Sequence, residues 1–178
     1  MAPRSTPLTE TASGEWGAAS ATFSADRRYR YTLTRVWDAE APVVNFLMLN
    51  PSTADAFVLD PTNRRCVGFA SAWGFGSMVT TNLFALRSTD PKGLRTVGDP
   101  IGPDNDEAIL AAAGAADLVL VAWGNHGTHL DRGQRVCELL RVAGIDLHHL
   151  RRTRAGHPAH PLYLPGDLVP IPWRVDAS

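Results

Sequence analysis

The chain has 178 residues, 44% of them hydrophobic, and carries a formal net charge of −1. This length and composition predict one soluble domain with its own core, and the near-neutral charge excludes the chain-wide positive field typical of many nucleic-acid binding proteins. Positive charge is gathered in three short clusters, at residues 27–30, 64–65 and 151–154. These clusters are compatible with a local basic rim, and solvated arginines are an equally good interpretation of the first cluster.

Cysteine content and hydropathy indicate where the protein works. The two cysteines, Cys66 and Cys137, lie in apolar helical segments and predict buried thiols rather than a disulfide, which suits a reducing cytoplasm. No apolar run is long enough to span a membrane, and the amino terminus lacks the apolar segment of a signal peptide. We therefore expect a cytoplasmic protein with no membrane partner.

The amino-terminal region is predicted to be a tail followed by a hairpin. Residues 1–17 are rich in Ser, Thr, Ala, Gly and Pro, and we expect them to be disordered. Residues 21–24 and 29–34 alternate apolar and polar side chains around a polar turn, which predicts a β-hairpin at a sheet edge. A single α/β domain is expected to fill residues 18–178.

Buried strands alternate with helices in the rest of the chain. Apolar runs predict four strands at residues 43–49, 77–84, 116–123 and 145–150, and helical spacing predicts helices at 61–73, 103–114 and 131–142. The irregular segment between residues 85 and 103 is long enough to be a functional loop or lid. Strands alternating with helices predict βαβ units, so we expect a three-layer α/β/α fold with a four-stranded parallel sheet and an N-terminal β-hairpin.

Each predicted parallel strand ends in polar residues. Asn50 follows the first strand, Asn82 lies near the end of the second, residues 124–126 follow the third, and His157 and His160 follow the fourth. The carboxyl ends of parallel strands lie at one edge of a sheet, where α/β proteins bind ligands. We therefore expect these side chains to line one pocket.

Four histidines are candidate metal ligands: His126, His129, His148 and His149. No carboxylate or cysteine completes a recognised ligand spacing around them. We therefore expect no metal and no cofactor.

Several segments resemble the uracil-DNA glycosylase superfamily. LMLNPSTAD (47–55) is similar to the first motif of its mismatch-specific branch, and DPTNRRCVGFA (60–70) is similar to the helix start that follows in that branch. VTTNLFAL (79–86) is similar to the strand whose Asn reads the base in the uracil-specific branches. LVLVAWGN (118–125) resembles their Leu-Leu-Trp-Gly strand, and HHLRRTRAGHPAHPLYL (148–164) resembles their closing His-Pro segment.

The chain as a whole also resembles a bacterial and phage family known only as domain of unknown function number 1643, over roughly residues 21–173. Two features depart from the glycosylase pattern in the first motif. Ser52 follows Asn-Pro where glycine is usual, and the aspartate of the uracil-specific branch is absent.

The superfamily resemblance implies a site that cleaves an N-glycosidic bond. Such a site needs a positioned water, a negative charge near the sugar, a reader of the base edge, a donor to the leaving base and an aromatic face. Asn50 would orient the water and Asn82 would read the base. His157 is the first choice as donor to the base, with His160 as the reserve. The other implied residues are Asp55 or Asp60 for the charge, Phe57 or Phe69 for stacking, and Pro51, Ser52, Asn63, Arg64 and Arg152 for substrate binding, with Arg64 at the rim.

The function expected from these features is hydrolysis of a nucleobase from nucleic acid, as in base excision during DNA repair, by a metal-free monomer. One alternative is hydrolysis of a free nucleotide, which the near-neutral charge favours. The other is a non-catalytic module that binds a nucleotide or nucleic acid, which the missing aspartate favours.

Overall fold

Eight strands, three α-helices and three short 3₁₀ helices make up the regular structure of residues 6–53 and 55–174, the part of the chain that the computed structural model describes. The strands are β1 (Leu8–Gly14), β2 (Gly17–Phe23), β3 (Arg30–Val36), β4 (Val43–Met48), β5 (Ser77–Asn82), β6 (Leu118–Val121), β7 (Leu147–His149) and β8 (Ile171–Pro172). The helices are α1 (Pro61–Ala72), α2 (Asn105–Ala115) and α3 (Arg132–Val142). No helix in this part of the chain is long and apolar enough to cross a membrane.

All eight strands join in one sheet, in the order β1-β2-β3-β5-β4-β6-β7-β8. The α/β class is confirmed, but the prediction of a four-stranded parallel sheet is wrong. The four predicted strands are β4 to β7, and they pair in parallel in the middle of the sheet. Antiparallel strands extend the sheet on both sides, so four of its seven pairings are antiparallel.

The predicted hairpin forms from β2 and β3, which are antiparallel neighbours. Its position at a sheet edge is wrong, because β3 also pairs with β5, with Leu33 opposite Thr80. Two side chains of β3, Tyr31 and Leu33, are each only 1% exposed and pack in different clusters. Because β3 has a paired neighbour on each side, β2 and β5, it lies inside the sheet.

Part of the predicted disordered tail is ordered. Residues 8–14 form β1, which pairs with β2 along its whole length down to Gly14 opposite Gly17. Gly17 has a φ of 110°, and a side chain there would meet the carbonyl of Val36. Backbone pairing through a tight glycine turn therefore orders a segment that has few apolar side chains to bury. Residues 1–5 of the predicted tail lie outside the described residues.

The two largest hydrophobic cores lie on opposite faces of the sheet. Alternate residues of β4 divide between them, since Phe46 packs with α1 whereas Leu47 packs with α2 and α3. Helices therefore cover both faces, and the loops after the parallel strands are gathered at one edge. The buried helical residues in these cores are Cys66, Phe69 and Ala70 on one face and Ile109, Ala113, Val136, Cys137 and Leu140 on the other.

Both cysteines are free and buried. Burial raises the pKa of the Cys137 thiol to about 11, and it also raises the pKa of Cys66. Both thiols are therefore protonated at neutral pH and behave as small apolar side chains.

Helix α1 begins as the sequence predicts. Asp60 is the N-cap, its Oδ1 accepting a hydrogen bond from the backbone N of Asn63 at 2.7 Å, and Pro61 is the first helical residue. This cap places the first turn of α1 beside the carboxyl ends of β4 and β5.

A buried asparagine at the start of α2 supports the end of β5. Asn105 is fully buried, and its Nδ2 donates to the carbonyl oxygens of Asn82 and Leu83, both at 3.0 Å. We expect Asn105→Ala to lower the free energy of unfolding by about 1–3 kcal/mol, because two buried hydrogen bonds are lost without a replacement donor. Urea denaturation measures the change. Arg141→Ala, which removes an exposed pair with Glu138, is the control that should change little. Equal midpoints for wild type and Asn105→Ala would contradict this role.

Candidate functional site

A cavity of about 300 Å³ opens at the carboxyl ends of β4, β5 and β6. We call it the strand-end cavity. The start of β3, the first turn of α1 and the segment before Pro161 complete its wall. The side chains that give the wall its charged, amide and aromatic groups include Arg30, Asn50, Asp60, Asn82, Trp123 and His160.

The structure brings together seven of the thirteen residues predicted for the site. Those that line the strand-end cavity are Asn50, Pro51, Ser52, Asp60, Asn63, Asn82 and His160. Those that lie elsewhere are Asp55, Phe57, Arg64, Phe69, Arg152 and His157.

Arg64 and Phe69 line a separate cavity beside α1, and neither is among the residues that line the strand-end cavity. Successive helical residues are rotated by about 100°, and Arg64 therefore points away from the wall that Asn63 lines. Phe69 is 2% exposed in the core under α1. Asp55 is exposed and accepts a hydrogen bond from the backbone N of Phe57, whose ring packs against the β2–β3 hairpin.

His157 and Arg152 line a second cavity, named here the Trp173 cavity, together with Trp123, Cys137 and Trp173. The Arg152 guanidinium lies 4.3 Å from the centre of the Trp173 ring. The two cavities meet at Trp123, which is 4% exposed and lines both.

A tight turn contains one of the two candidate histidines, His157, and the other, His160, follows it. The backbone N of Thr153 donates to the carbonyl of His157 at 2.7 Å, and Gly156 adopts a φ of 88°. This turn takes His157 to the Trp173 cavity, whereas His160 reaches the strand-end cavity. The preference for His157 over His160 therefore does not fit the geometry.

Asn50 has both hydrogens of its amide engaged. Nδ2 donates to the carbonyl oxygens of Ser88 at 2.8 Å and Pro51 at 3.1 Å. These bonds fix the orientation of the amide and leave Oδ1 as its free acceptor within the described residues. Asn50 can thus hold a water or a ligand donor in one position.

Asn82 is 3% exposed and yet lines the strand-end cavity. Its backbone carbonyl is held by Asn105, and its side-chain amide makes no hydrogen bond to any described residue. The amide therefore offers one donor group and one acceptor to a ligand. This pair matches the edge of a nucleobase that carries a carbonyl next to an N–H.

His160 is held as a neutral donor. Its Nδ1 accepts a hydrogen bond from the backbone N of Leu162 at 3.3 Å, which places the proton of the neutral ring on Nε2. Burial lowers the pKa of His160, and the nearby Asp60 carboxylate opposes the shift only in part. A neutral imidazole with a proton on Nε2 can donate to a ligand without carrying positive charge.

The lowered pKa of His160 predicts a pH dependence of stability. The unfolded chain takes up a proton on this side chain near pH 6.5, whereas the folded protein resists protonation there. The free energy of unfolding is therefore unaffected by this side chain above about pH 6.5, where it is neutral in both states, and it decreases as the pH falls below that value. We expect chemical denaturation to show a smaller loss of stability between pH 7 and pH 5 in His160→Asn than in wild type. A loss of equal size in both would contradict this assignment, and the burial of His149 contributes the same sign in both proteins.

Asp60 supplies a negative charge to the wall and Trp123 supplies an indole ring. Asp60 uses Oδ1 as the helix cap, which leaves Oδ2 available. Trp123 lines this cavity, whereas Phe57 and Phe69, the aromatic residues that the sequence suggested, do not. The signal was present, because Trp123 is the last apolar residue of the third strand before the polar segment 124–126.

A match to the family described as "Protein of unknown function (DUF1643)" covers residues 30–162, about three quarters of the chain. The chain belongs to this family. No curated protein and no solved structure matches it.

The DUF1643 segment contains the whole strand-end cavity. Its boundaries fall at Arg30, the first cavity residue, and just beyond His160, the last. Strands β1, β2 and β8 lie outside the matched residues. The segment that defines the family is therefore the segment that builds this site.

Arg30 is a residue of this DUF1643 site that the sequence did not single out. The interpretation of the cluster at 27–30 as solvated arginines holds for Arg27 and Arg28, which are exposed, but not for Arg30, which is 5% exposed. The alternation in β3 carried a signal, because Tyr29 and Tyr31 pack together in one core and Arg30 between them must face the other side.

Proposed function

We propose that the protein hydrolyses the N-glycosidic bond of a nucleobase, with the reaction in the strand-end cavity. The observation that carries the proposal is the meeting of Asn50, Asn82 and His160 in one cavity, each with a free polar group of a different kind. Together they offer a fixed acceptor, a paired donor and acceptor, and a neutral donor.

The roles follow from what the bond cleavage requires. The sugar gains oxocarbenium character as the base leaves, and the base takes the electron pair of the broken C–N bond. Asn50 Oδ1 accepts a hydrogen bond from the attacking water and aims its oxygen at the sugar carbon. His160 Nε2 donates to the base as negative charge grows on it, and Asn82 binds the base edge. The water oxygen ends on the sugar and its proton ends on the base.

Two further wall residues suit this chemistry. The Asp60 carboxylate lies in the same wall and stabilises positive charge on the sugar. Trp123 gives the base an aromatic side chain to pack against. The segments similar to the uracil-DNA glycosylase superfamily are the ones that supply Asn50, Asp60, Asn82 and His160, which supports the same class of reaction.

A free nucleotide is the second candidate substrate. A cavity of about 300 Å³ is at the small end of the range for ligand sites, and a formal net charge of −1 gives no broad attraction for a polyanion. Both observations favour a small substrate over a long duplex.

The test is an assay for released base. The protein is incubated with single-stranded and duplex oligonucleotides that carry each common base or uracil, and with the corresponding mononucleotides, and free base is measured by chromatography. Base released from oligonucleotides supports base excision, and base released only from mononucleotides supports the second candidate. Binding without release from any substrate would overturn hydrolysis and leave a binding module. A double variant, Asn50→Ala with His160→Asn, controls for a contaminating hydrolase.

A further inference from the structure

Arg30 is a buried arginine without a partner. It is the first residue of β3, is 5% exposed, and lines the strand-end cavity. Within the described part of the chain its guanidinium makes no ion pair and no hydrogen bond. Its guanidinium nitrogens keep contact with solvent, and so they face the open space of the cavity.

Two neighbouring arginines show what an arginine with a purely structural role does here. Arg35 Nη2 donates to the carbonyl oxygens of Ala56 at 3.1 Å and Val58 at 3.3 Å. Arg87 donates to the carbonyl oxygen of Thr53 at 3.1 Å, and so these two residues hold the loop between β4 and α1 in place. Arg30 makes no such bonds, and all its donors remain for a ligand.

The electrostatic surroundings make the free charge costly. Burial lowers the pKa of Arg30 to about 10, Arg87 adds to this shift, and the Asp60 carboxylate opposes it only in part, so the side chain is still charged at neutral pH. A buried charge without a partner costs several kcal/mol in general. Proteins therefore retain one where a bound ion of opposite charge completes the site.

The wall next to Arg30 has further polar groups without partners. The Thr80 hydroxyl and the Asn63 amide oxygen are buried and make no hydrogen bond within the described residues. The first turn of α1, with Thr62 and Asn63, lines the same cavity, and the positive end of the helix dipole favours a negative group there. Pro61 has no backbone N–H and that of Asn63 already donates to Asp60, so the dipole rather than a row of free N–H groups is what this turn offers. Of the two polar groups without partners, the Thr80 hydroxyl can donate to an oxyanion, whereas the Asn63 amide oxygen only accepts and suits a donor group of the ligand.

We propose that Arg30 binds the phosphate group of a nucleotide whose base is held by Asn82 and His160. This inference rests on the proposed function, since it takes the base to lie in the strand-end cavity. A guanidinium can form two parallel hydrogen bonds to a phosphate, and the phosphate would be the ion-pair partner that Arg30 does not have among the described residues. A nucleoside, which has no phosphate, leaves Arg30 unpaired. Arg30 therefore makes the site select nucleotides over nucleosides.

Binding measurements test the proposal directly. Titration calorimetry with inorganic phosphate, the five nucleoside 5′-monophosphates and the matching nucleosides is carried out on wild type, Arg30→Gln and Arg28→Gln. Arg28 is exposed, with its guanidinium 5.5 Å from the Tyr29 ring centre, and serves as the matched control. We expect Arg30→Gln to weaken binding of a monophosphate by at least about ten-fold and to leave nucleoside binding unchanged. Arg28→Gln should bind as wild type does.

Three outcomes would overturn the proposal. Wild type that binds neither phosphate nor any monophosphate has no such site. Equal affinity of wild type for nucleosides and monophosphates means that the phosphate is not recognised. Equal weakening in Arg30→Gln and Arg28→Gln means that only the general charge matters.

Melting temperature separates a ligand-binding role from a structural one. In phosphate-free buffer, Arg30→Gln and Arg30→Met should melt at the wild-type temperature or above it, because an unpaired buried charge has been removed. Adding phosphate should raise the melting temperature of wild type and not of either variant. A lower melting temperature for both variants without phosphate would assign Arg30 to the fold and overturn the proposal.

Failure of this inference can be told apart from failure of the proposed function. If monophosphates bind through Arg30 and no base is released, the hydrolase proposal fails and the phosphate site stands. If base is released equally well from nucleosides and nucleotides, and Arg30→Gln has no effect, the phosphate site fails and the hydrolase stands. Dinucleotides in the same titrations distinguish a phosphodiester from a terminal phosphate as the bound group.

Discussion

His160→Asn is expected to lower the rate of base release by at least about 100-fold and to leave the melting temperature close to that of wild type. Asparagine can still accept the hydrogen bond from the backbone N of Leu162, because its side-chain oxygen takes the place of Nδ1 at this N-cap. Its side chain is too short to place a donor where Nε2 lies. The loss is that of a donor to the leaving base, for which about two to four orders of magnitude are typical. Single-turnover measurements with excess enzyme give the rate of the chemical step.

Two other substitutions sharpen this test. His157→Asn should release base at nearly the wild-type rate, because His157 lines the Trp173 cavity instead. His160→Gln should recover part of the activity, since its amide nitrogen lies near the position of Nε2. If His157→Asn is impaired as severely as His160→Asn, the donor role does not belong to His160.

Asn50→Ala is expected to reduce the rate of base release by about 100-fold or more, with a smaller effect on KM. The substitution removes the fixed Oδ1 that orients the water, and a mispositioned water lowers the rate without weakening substrate binding. It also leaves the carbonyl of Ser88 without its donor at 2.8 Å, so we expect a loss of about 1 kcal/mol in stability. Steady-state kinetics separates the two constants, and urea denaturation measures the stability.

Asn125→Ala is the matched control for this substitution. Asn125 is also an asparagine of the cavity wall, but its Oδ1 already accepts a hydrogen bond from the Thr153 hydroxyl at 2.6 Å. It therefore has no free amide oxygen to hold a water. Losses of equal size in Asn50→Ala and Asn125→Ala would show that Asn50 has no special part in orienting the nucleophile.

The central strands and the helices could be predicted because their buried apolar runs and helical periodicity are strong. Strands β4 to β7 and helix α1, with its Asp60 cap, lie close to their predicted positions. Strands β1 and β8 could not be predicted in the same way. β1 is built from threonine, serine, alanine and glycine, and β8 contains Pro172, so neither has an alternating apolar pattern. Their pairing depends on backbone hydrogen bonds that only the assembled sheet provides.

The site was predictable where it depends on parallel strand ends. Asn50 and Asn82 lie together because β4 and β5 are parallel neighbours in register up to Met48 opposite Asn82. The choice between the histidines was not predictable, because it depends on the turn around Gly156. Arg30 was missed because a parallel-strand argument does not apply to a strand that runs in the opposite direction.

The reversed direction of β3 has a consequence for how the protein reaches its working state. Arg30 begins its strand at the edge where the parallel strands end, and so the strand-end cavity joins the first residue of the DUF1643 segment to one of its last. Any fragment that contains the complete wall must run from Arg30 to His160. During synthesis, the site therefore comes into existence only after nearly all of this segment has left the ribosome and closed its most distant contacts, which are the slowest to form. Ligand binding therefore indicates that the chain from Arg30 to His160 has folded.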